Sequence, residues 1–595
     1  METLGLLFFL FAFLVELVFT QEVMPPTVKL PGSELRGMSA AGFEAFNGIP
    51  FAESPAGKNR LRRPVKRTEP LGEFDAAGKE PRCHEGYFEP NPTDYPLHED
   101  HLEHRYVERY NLSSGEDAAV RYHLSTEDCL TVSVTRPAGT KAGDKLPVMF
   151  MIHGYGFVVG APEPYDRTDF FKFGVDNHHP FVFVTANYRV GAWGFLPGNE
   201  SMHGEATNLG LYDQRMAMEW TSDNIAAFGG DPDKITLFGH AAGGVSALTH
   251  LVINDGNLTY NGRQLFHGVI MSSGSLMPAN PADSLRAQLV YESVAAAAGC
   301  DATQESLKCL RGLSDLDFWM ASNSIPGINA VEAWRLLYVP RPDGKLLRDS
   351  PEELMKQGKF AQVPMILGNQ EDEAALFTLL HELFENKMGY QLWGYLRDHY
   401  FNQYTPANES VLREWTFRYS PEPKDGSPFR TGEHFETWFG RKLVSATMGD
   451  IFFNFPRRLA MHLIAEASPT VPVWGYVDSH NYADFRIYDG LVGTTHGSFL
   501  DSVFAQGDRA ALSSSYSTRA HLINFMYSQN PNKGIEGIEG GEGGGLPAHL
   551  VHWPEWTLDL PRLLWINRGH NAYVLDNERK KMFGEVKSDV AMIRL

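Results

Sequence analysis

Two stretches of the chain, Leu146–His153 (LPVMFMIH) and Phe181–Tyr188 (FVFVTANY), are apolar, β-branched or aromatic at nearly every position. A strand with one face in water alternates polar and apolar residues. A run without alternation belongs to a strand covered on both faces, as in a parallel sheet flanked by helices. Elsewhere the period changes. Leu209–Phe228 carries apolar residues at helical spacing and stops at Gly229-Gly230-Asp231-Pro232, a strong breaker. A short strand is expected at Ile235–Phe238, a helix at Gly244–Leu251, and further strands at Val363–Gly368 and Val471–Val477. Shorter β signals at Val28–Met38, Gly42–Ala52 and Leu130–Thr135 fit antiparallel edge strands. This alternation predicts an α/β fold, with a large, mostly parallel central sheet and helices on both faces.

The turn after Ile235–Phe238 reads Gly239-His240-Ala241-Ala242-Gly243. Glycines at the first and fifth positions, between a strand and a helix, are the pattern of a nucleophile elbow, G-x-S-x-G. The turn is so sharp that the flanking backbones approach too closely for side chains at its ends. The middle residue sits at the tip, beside a helix N-terminus, where a serine hydroxyl would meet substrate. Here that residue is Ala241, which has no oxygen to attack anything.

The 595 residues, 43% of them hydrophobic, hold material for a large core. A net charge of −21 repels nucleic acid and anionic membranes, so neither is expected as a partner. Leu4–Phe19 is an apolar run interrupted at Glu16 and followed by polar chain. It reads as a secretory signal peptide over residues 1–20, although no Lys or Arg precedes it. No membrane anchor beyond that signal is expected, and the protein should be secreted to the extracellular space. Residues 21–595 read as a single domain, with 534–545 (GIEGIEGGEGGG) a flexible acidic loop. An even set of four cysteines in a secreted chain suggests two disulfides, with three pairings open. Sequons place candidate glycans at Asn111, Asn199, Asn257 and Asn408. No metal-ligand constellation or phosphate-binding loop stands out, so no metal and no cofactor are expected.

The chain resembles the type-B carboxylesterase/cholinesterase family of α/β-hydrolases from about residue 28 to about residue 560. The resemblance rests on Phe46-Asn-Gly-Ile-Pro-Phe-Ala52, Glu127-Asp-Cys-Leu130, Ala186-Asn-Tyr-Arg-Val-Gly191, Asn208-Leu-Gly-Leu-Tyr-Asp-Gln214 and Asn224-Ile-Ala-Ala-Phe-Gly-Gly-Asp-Pro232, in that order. It implies a Ser–Glu–His triad whose serine position is Ala241, whose acid is Glu373 in Gly368-Asn-Gln-Glu-Asp-Glu373, and whose base is His496 in Gly493-Thr-Thr-His496-Gly497. The usual glycine after the acid is replaced by Ala374. The implied oxyanion hole lies in His153-Gly154-Tyr155-Gly156-Phe157, with the backbone N–H groups of Tyr155, Gly156 and Ala242 as donors. Tyr155 stands where the family has glycine, and is expected to strain the turn or fill the pocket. The implied disulfides are Cys83–Cys129 and Cys300–Cys309. Family members with an intact elbow often carry a serine at the position of Ser246, so it reads as structural; Ser273 and Ser275, in Ser272-Ser-Gly-Ser275, match a family segment near the active site that does not hold the nucleophile.

Removing the serine of such a triad lowers kcat by about a millionfold in subtilisin. With Tyr155 a second departure at the reacting centre, the expectation is a secreted carboxylesterase-like protein that is not an enzyme. It would act by binding, in adhesion or sequestration, with an apolar small molecule or an extracellular protein as partner. The alternative is an active carboxylic-ester hydrolase that uses a displaced nucleophile or the remaining Glu373–His496 dyad.

Overall fold

The computed structural model describes residues 25–86, 122, 124–161, 167–325, 337–379, 389–399, 406–480, 491–504, 513–533, 551–567 and 571–594. Its frame is a sheet of eleven strands. In chain order they are β1 (Met38–Ala40), β2 (Phe43–Pro50), β3 (Thr131–Pro137), β4 (Leu146–Ile152), β5 (Val182–Ala186), β6 (Gly230–His240), β7 (Gly268–Ser272), β8 (Met365–Gln370), β9 (Val473–Asp478), β10 (Arg562–Ile566) and β11 (Ala572–Leu575). Across the sheet the order is β11-β10-β9-β8-β7-β6-β4-β5-β3-β2-β1. The pairs from β10 through β6 and β4 to β5 are parallel, and the outer pairs are antiparallel.

The uniformly apolar runs are buried on both faces because two separate cores sandwich the sheet. Val148, Phe150 and Ile152 of β4 face one core. Met149 and Met151 face the other, with Phe170, Phe181, Phe525 and Trp553. Helix α1 (Leu209–Asn224) is followed by a 3-10 turn over Ile225–Phe228, so the sequence expectation of one helix through Phe228 merges two elements. A buried bidentate pair joins α1 to the end of β5: Arg189 Nε and Nη2 donate to the Asp213 carboxylate at 2.7 Å each.

Five strands differ from expectation. Thr27–Leu30 and Ser33–Arg36 do not edge the main sheet; they pair with each other and with Gly72–Asp75 in a separate small sheet. β7 is only five residues long, too short for a periodic signal. β10 and β11 also went unrecognised; β11 is partly exposed along its length. The cysteines pair as Cys83–Cys129 and Cys300–Cys309. Residues 1–20, Asn111 and 534–545 lie outside the described residues. Asn199 and Asn257 are exposed; Asn408 lies on the helix Pro406–Arg418, and its side chain is outside the description.

The register sets where the chemistry gathers. Ile152 of β4 lies opposite Gly239 of β6, His240 opposite Ser272, Ser272 opposite Gly368, and Gln370 opposite Asp478. The carboxyl ends of β4, β6, β7 and β8 therefore form one rim, the edge of an open α/β sheet where ligands bind.

Candidate active site

At that rim β6 turns into helix α2 (Ala242–Val252) through Ala241, which adopts φ 53° and ψ −121°. A residue with a Cβ rarely populates this region, at a cost of about 1–3 kcal/mol. The surroundings leave it no other choice. A Cβ on Gly239 would stand 2.1 Å from the Gly243 carbonyl oxygen, and one on Gly243 would stand 2.1 Å from the Ile152 oxygen. The Ala241 amide donates to Ser272 O at 2.9 Å and its carbonyl accepts from Val245 N at 3.0 Å. The elbow is thus fully formed around an alanine. Ala241→Gly should therefore raise stability by about 1 kcal/mol, since strain relief exceeds the added unfolded-state entropy. Urea denaturation measures this, and a lowered midpoint would mean that the methyl packing outweighs the strain.

The loop after β4 lies directly over the elbow: a Cβ on Gly154 would sit 3.0 Å from Ala241 Cβ and 2.8 Å from His240 O. Tyr155, Gly156 and Phe157 follow with φ of 69°, 67° and 63°. Tyr155 thus accepts the left-handed backbone that glycine would occupy, and its side chain is half-buried. The loop is pinned from below, where Tyr188 Oη donates to His153 O at 3.0 Å and the two rings stack.

Beyond β8, Glu373 is buried and accepts from the Gln370 amide at 2.8 Å through Oε1. Its Oε2 lies 2.7 Å from His496 Nδ1. The His496 ring stands among three others: His240 at 4.9 Å, Phe453 at 5.1 Å and Phe377 at 5.2 Å between centroids. The fold therefore gathers Ala241, the Gly154–Phe157 loop, Glu373 and His496 at one rim. Phe453 belongs to a π-helical turn, Asp450–Asn454, between helices Arg441–Gly449 and Phe455–Ala467. Such turns collect at functional sites, but nothing in the local sequence announces one. Ser246 is buried and accepts from Gln214 Nε2 at 3.0 Å; buried Ser273 accepts from Gln370 Nε2 at 3.2 Å. Both tie elements together.

Burial holds five histidines of the fold below their ordinary value. His153 and His250 are pushed down to about 3, and His521 and His462 to about 4. His240 is held well below its ordinary value by burial and then by the neighbouring His496. Each imidazole gains a proton near pH 6.5 once unfolded, so unfolding takes up protons. Their stabilisation is full above about pH 6.5 and is lost as the pH falls towards 4. Burial acts oppositely on Asp372 and Asp478, both pushed up to about 7, which favour the fold at lower pH. The imidazoles lowered by burial, these five and His267, outnumber the carboxyls raised by it, Asp372, Asp478, Glu219 and Glu352, so the unfolding midpoint should climb from pH 4 to 6.5 and then level or fall slightly. A midpoint highest at pH 4.5 by thermal scan would contradict this balance.

A model of the carboxylesterase family matches residues 24–583. The chain belongs to the carboxylesterase family. This carboxylesterase-family chain is 38% identical over 565 residues to the secreted triacylglycerol lipase LIP1 of Gibberella zeae, covering 93% of this chain and 88% of that one. It is 34% identical to secreted lipase 1 of Botryotinia fuckeliana, covering 95% and 92%. Among solved structures, Aspergillus niger EstA superposes with a TM-score of 0.74 at 22% identity, covering 96% of this chain and 99% of that chain, which shows the α/β-hydrolase fold. These relatives correct the expectation of a non-enzyme acting by adhesion or sequestration. Chains this similar over nearly their whole length are named lipases, which points to a hydrolase. The inference from Ala241 and Tyr155 gave two side chains more weight than the frame around them.

Proposed function

We propose that the chain is a secreted carboxylic-ester hydrolase in which the Glu373–His496 dyad activates water. The observation that carries this reading is the 2.7 Å contact between His496 Nδ1 and Glu373 Oε2 beside a fully formed elbow. With Nδ1 engaged by the carboxylate, Nε2 is the nitrogen available to take a proton. It draws one from water as the oxygen adds to the ester carbon, and Glu373 stabilises the imidazolium. The tetrahedral oxyanion is received by the N–H groups of Tyr155, Gly156 and Ala242. The C–O bond then breaks, and His496 returns the proton to the leaving alcohol. The half-buried rings of Phe377 and Phe453 beside His496 favour esters with apolar acyl groups. The names of the relatives support secretion and lipid-ester substrates. Among the described residues no helix is long and apolar enough to cross a membrane.

Hydrolysis of p-nitrophenyl butyrate and tributyrin by the whole protein tests the reading. His496→Ala should abolish turnover and Glu373→Gln should lower it by about 10²-fold or more. No acyl-enzyme burst should appear. Turnover unchanged in His496→Ala would sink the proposal. An organophosphate found covalently on any serine would replace the water route by a displaced nucleophile.

A further inference from the structure

We propose that Asp372 is a positioning residue for His496, its buried carboxylate clamping the loop that carries the base onto the turn that carries the acid. Asp372 immediately precedes Glu373 and is 3% exposed. It exchanges two hydrogen bonds with Thr494, two residues before His496: the Asp372 amide donates to Thr494 O at 3.0 Å, and the Thr494 amide donates to Asp372 Oδ2 at 3.0 Å. The other oxygen, Oδ1, accepts from Ser427 Oγ and from the Phe429 amide, both at 2.8 Å. One carboxylate thus joins three chain segments. Gly493 lies so close that a Cβ there would stand 2.3 Å from Asp372 Oδ2. A further tie follows, from the Leu376 amide to Thr495 Oγ1 at 3.0 Å.

The contact between His496 and Glu373 is a single hydrogen bond between two loops. Held by that alone, the imidazole would swing with its loop, and misplacement by ~1 Å can cost about 10²-fold in rate. The exchange between Asp372 and Thr494 removes that freedom by fixing the backbone on both sides of the dyad. The side chain must accept at both oxygens, which an amide cannot do. Burial pushes it up to about 7, with Glu371 acting in the same direction. The cations facing it are Arg430, which pairs with Glu371, and Arg441 and Lys442 from the helix Arg441–Gly449.

Asp372→Asn is the isosteric test. An amide has one acceptor oxygen, so in either orientation its NH2 faces a backbone N–H. In the natural chain, hydrogen exchange of the amides in 493–497 should accelerate at least about tenfold, with β6 and β7 unchanged. That arm is independent of hydrolysis. A second arm rests on the hydrolase reading: in the Ala241→Ser background, Asp372→Asn should lower kcat at least about tenfold with KM within about twofold. If Asp372→Asn does not fold, Ser427→Ala, which removes one donor from Oδ1, should accelerate exchange in 493–497 by about threefold. Exchange in 493–497 at the parent rate, or a rise shared equally by β6 and β7, overturns the proposal. A fall in KM affinity with kcat intact overturns it as well.

Discussion

Ala241→Ser should raise kcat on p-nitrophenyl butyrate by about 10³-fold or more and introduce an acyl-enzyme burst. The expectation comes from geometry already in place. Ala241 has the strained backbone of an elbow tip, Glu373 holds His496 by its Nδ1, and a Cβ on Gly154 would touch Ala241 Cβ at 3.0 Å. A hydroxyl added to that Cβ sits on a backbone that already has the elbow conformation. It replaces attack by water with a covalent route that splits one hard step into two easier ones. Organophosphate labelling of residue 241 would report the new nucleophile directly. A variant no faster than the parent would mean that the oxyanion is not received or that the dyad is misplaced. Adding Tyr155→Gly would then restore turnover if the tyrosine is the cause, and leave it flat if the dyad itself is misplaced.

Gly243→Ala should lower stability by about 3 kcal/mol or more and remove any hydrolytic activity. Its Cβ would stand 2.1 Å from Ile152 O and 2.8 Å from His153 O, both backbone atoms. Ile152 ends β4, which is held in register by β5 on one side and β6 on the other. The strand cannot retreat without breaking a ladder, and helix α2 cannot rise without leaving the Gly274 backbone on which Gly244 packs. The cost therefore exceeds that of an ordinary methyl added to a core, about 1–3 kcal/mol. Urea denaturation decides: a loss below about 1 kcal/mol would show that the elbow yields more easily than its contacts imply.

Most of this frame was legible in the sequence for a simple reason. Val148–Ile152 and Val182–Ala186 are buried on both faces, and the absence of alternation states that directly. Gly239 and Gly243 announced the elbow because only glycine fits between those backbones. Glu373 and His496, located through the family resemblance, do meet. The surroundings of His496 were less visible. Phe453 reaches it from a π-helical turn with no local signature, and Phe377 is an ordinary apolar residue until the fold places it. Asp372, one of three consecutive acids, reads as solvated surface; its burial depends on Thr494, Ser427 and Phe429, 55 to 122 positions away. Function was misjudged for a different reason. The sequence shows the missing hydroxyl at full strength, whereas the completeness of the remaining frame emerges only when the rim is assembled.

The strain at Ala241 has a consequence for how such a chain can change over generations. The tip conformation is imposed by the close approaches of Gly154, Gly239, Gly243 and Gly274, not by whichever side chain sits there. Alanine codons of the GCN box become serine codons of the TCN box by one base change. A lineage can therefore pass between hydroxyl-bearing and hydroxyl-free forms in one mutational step, without crossing a misfolded intermediate.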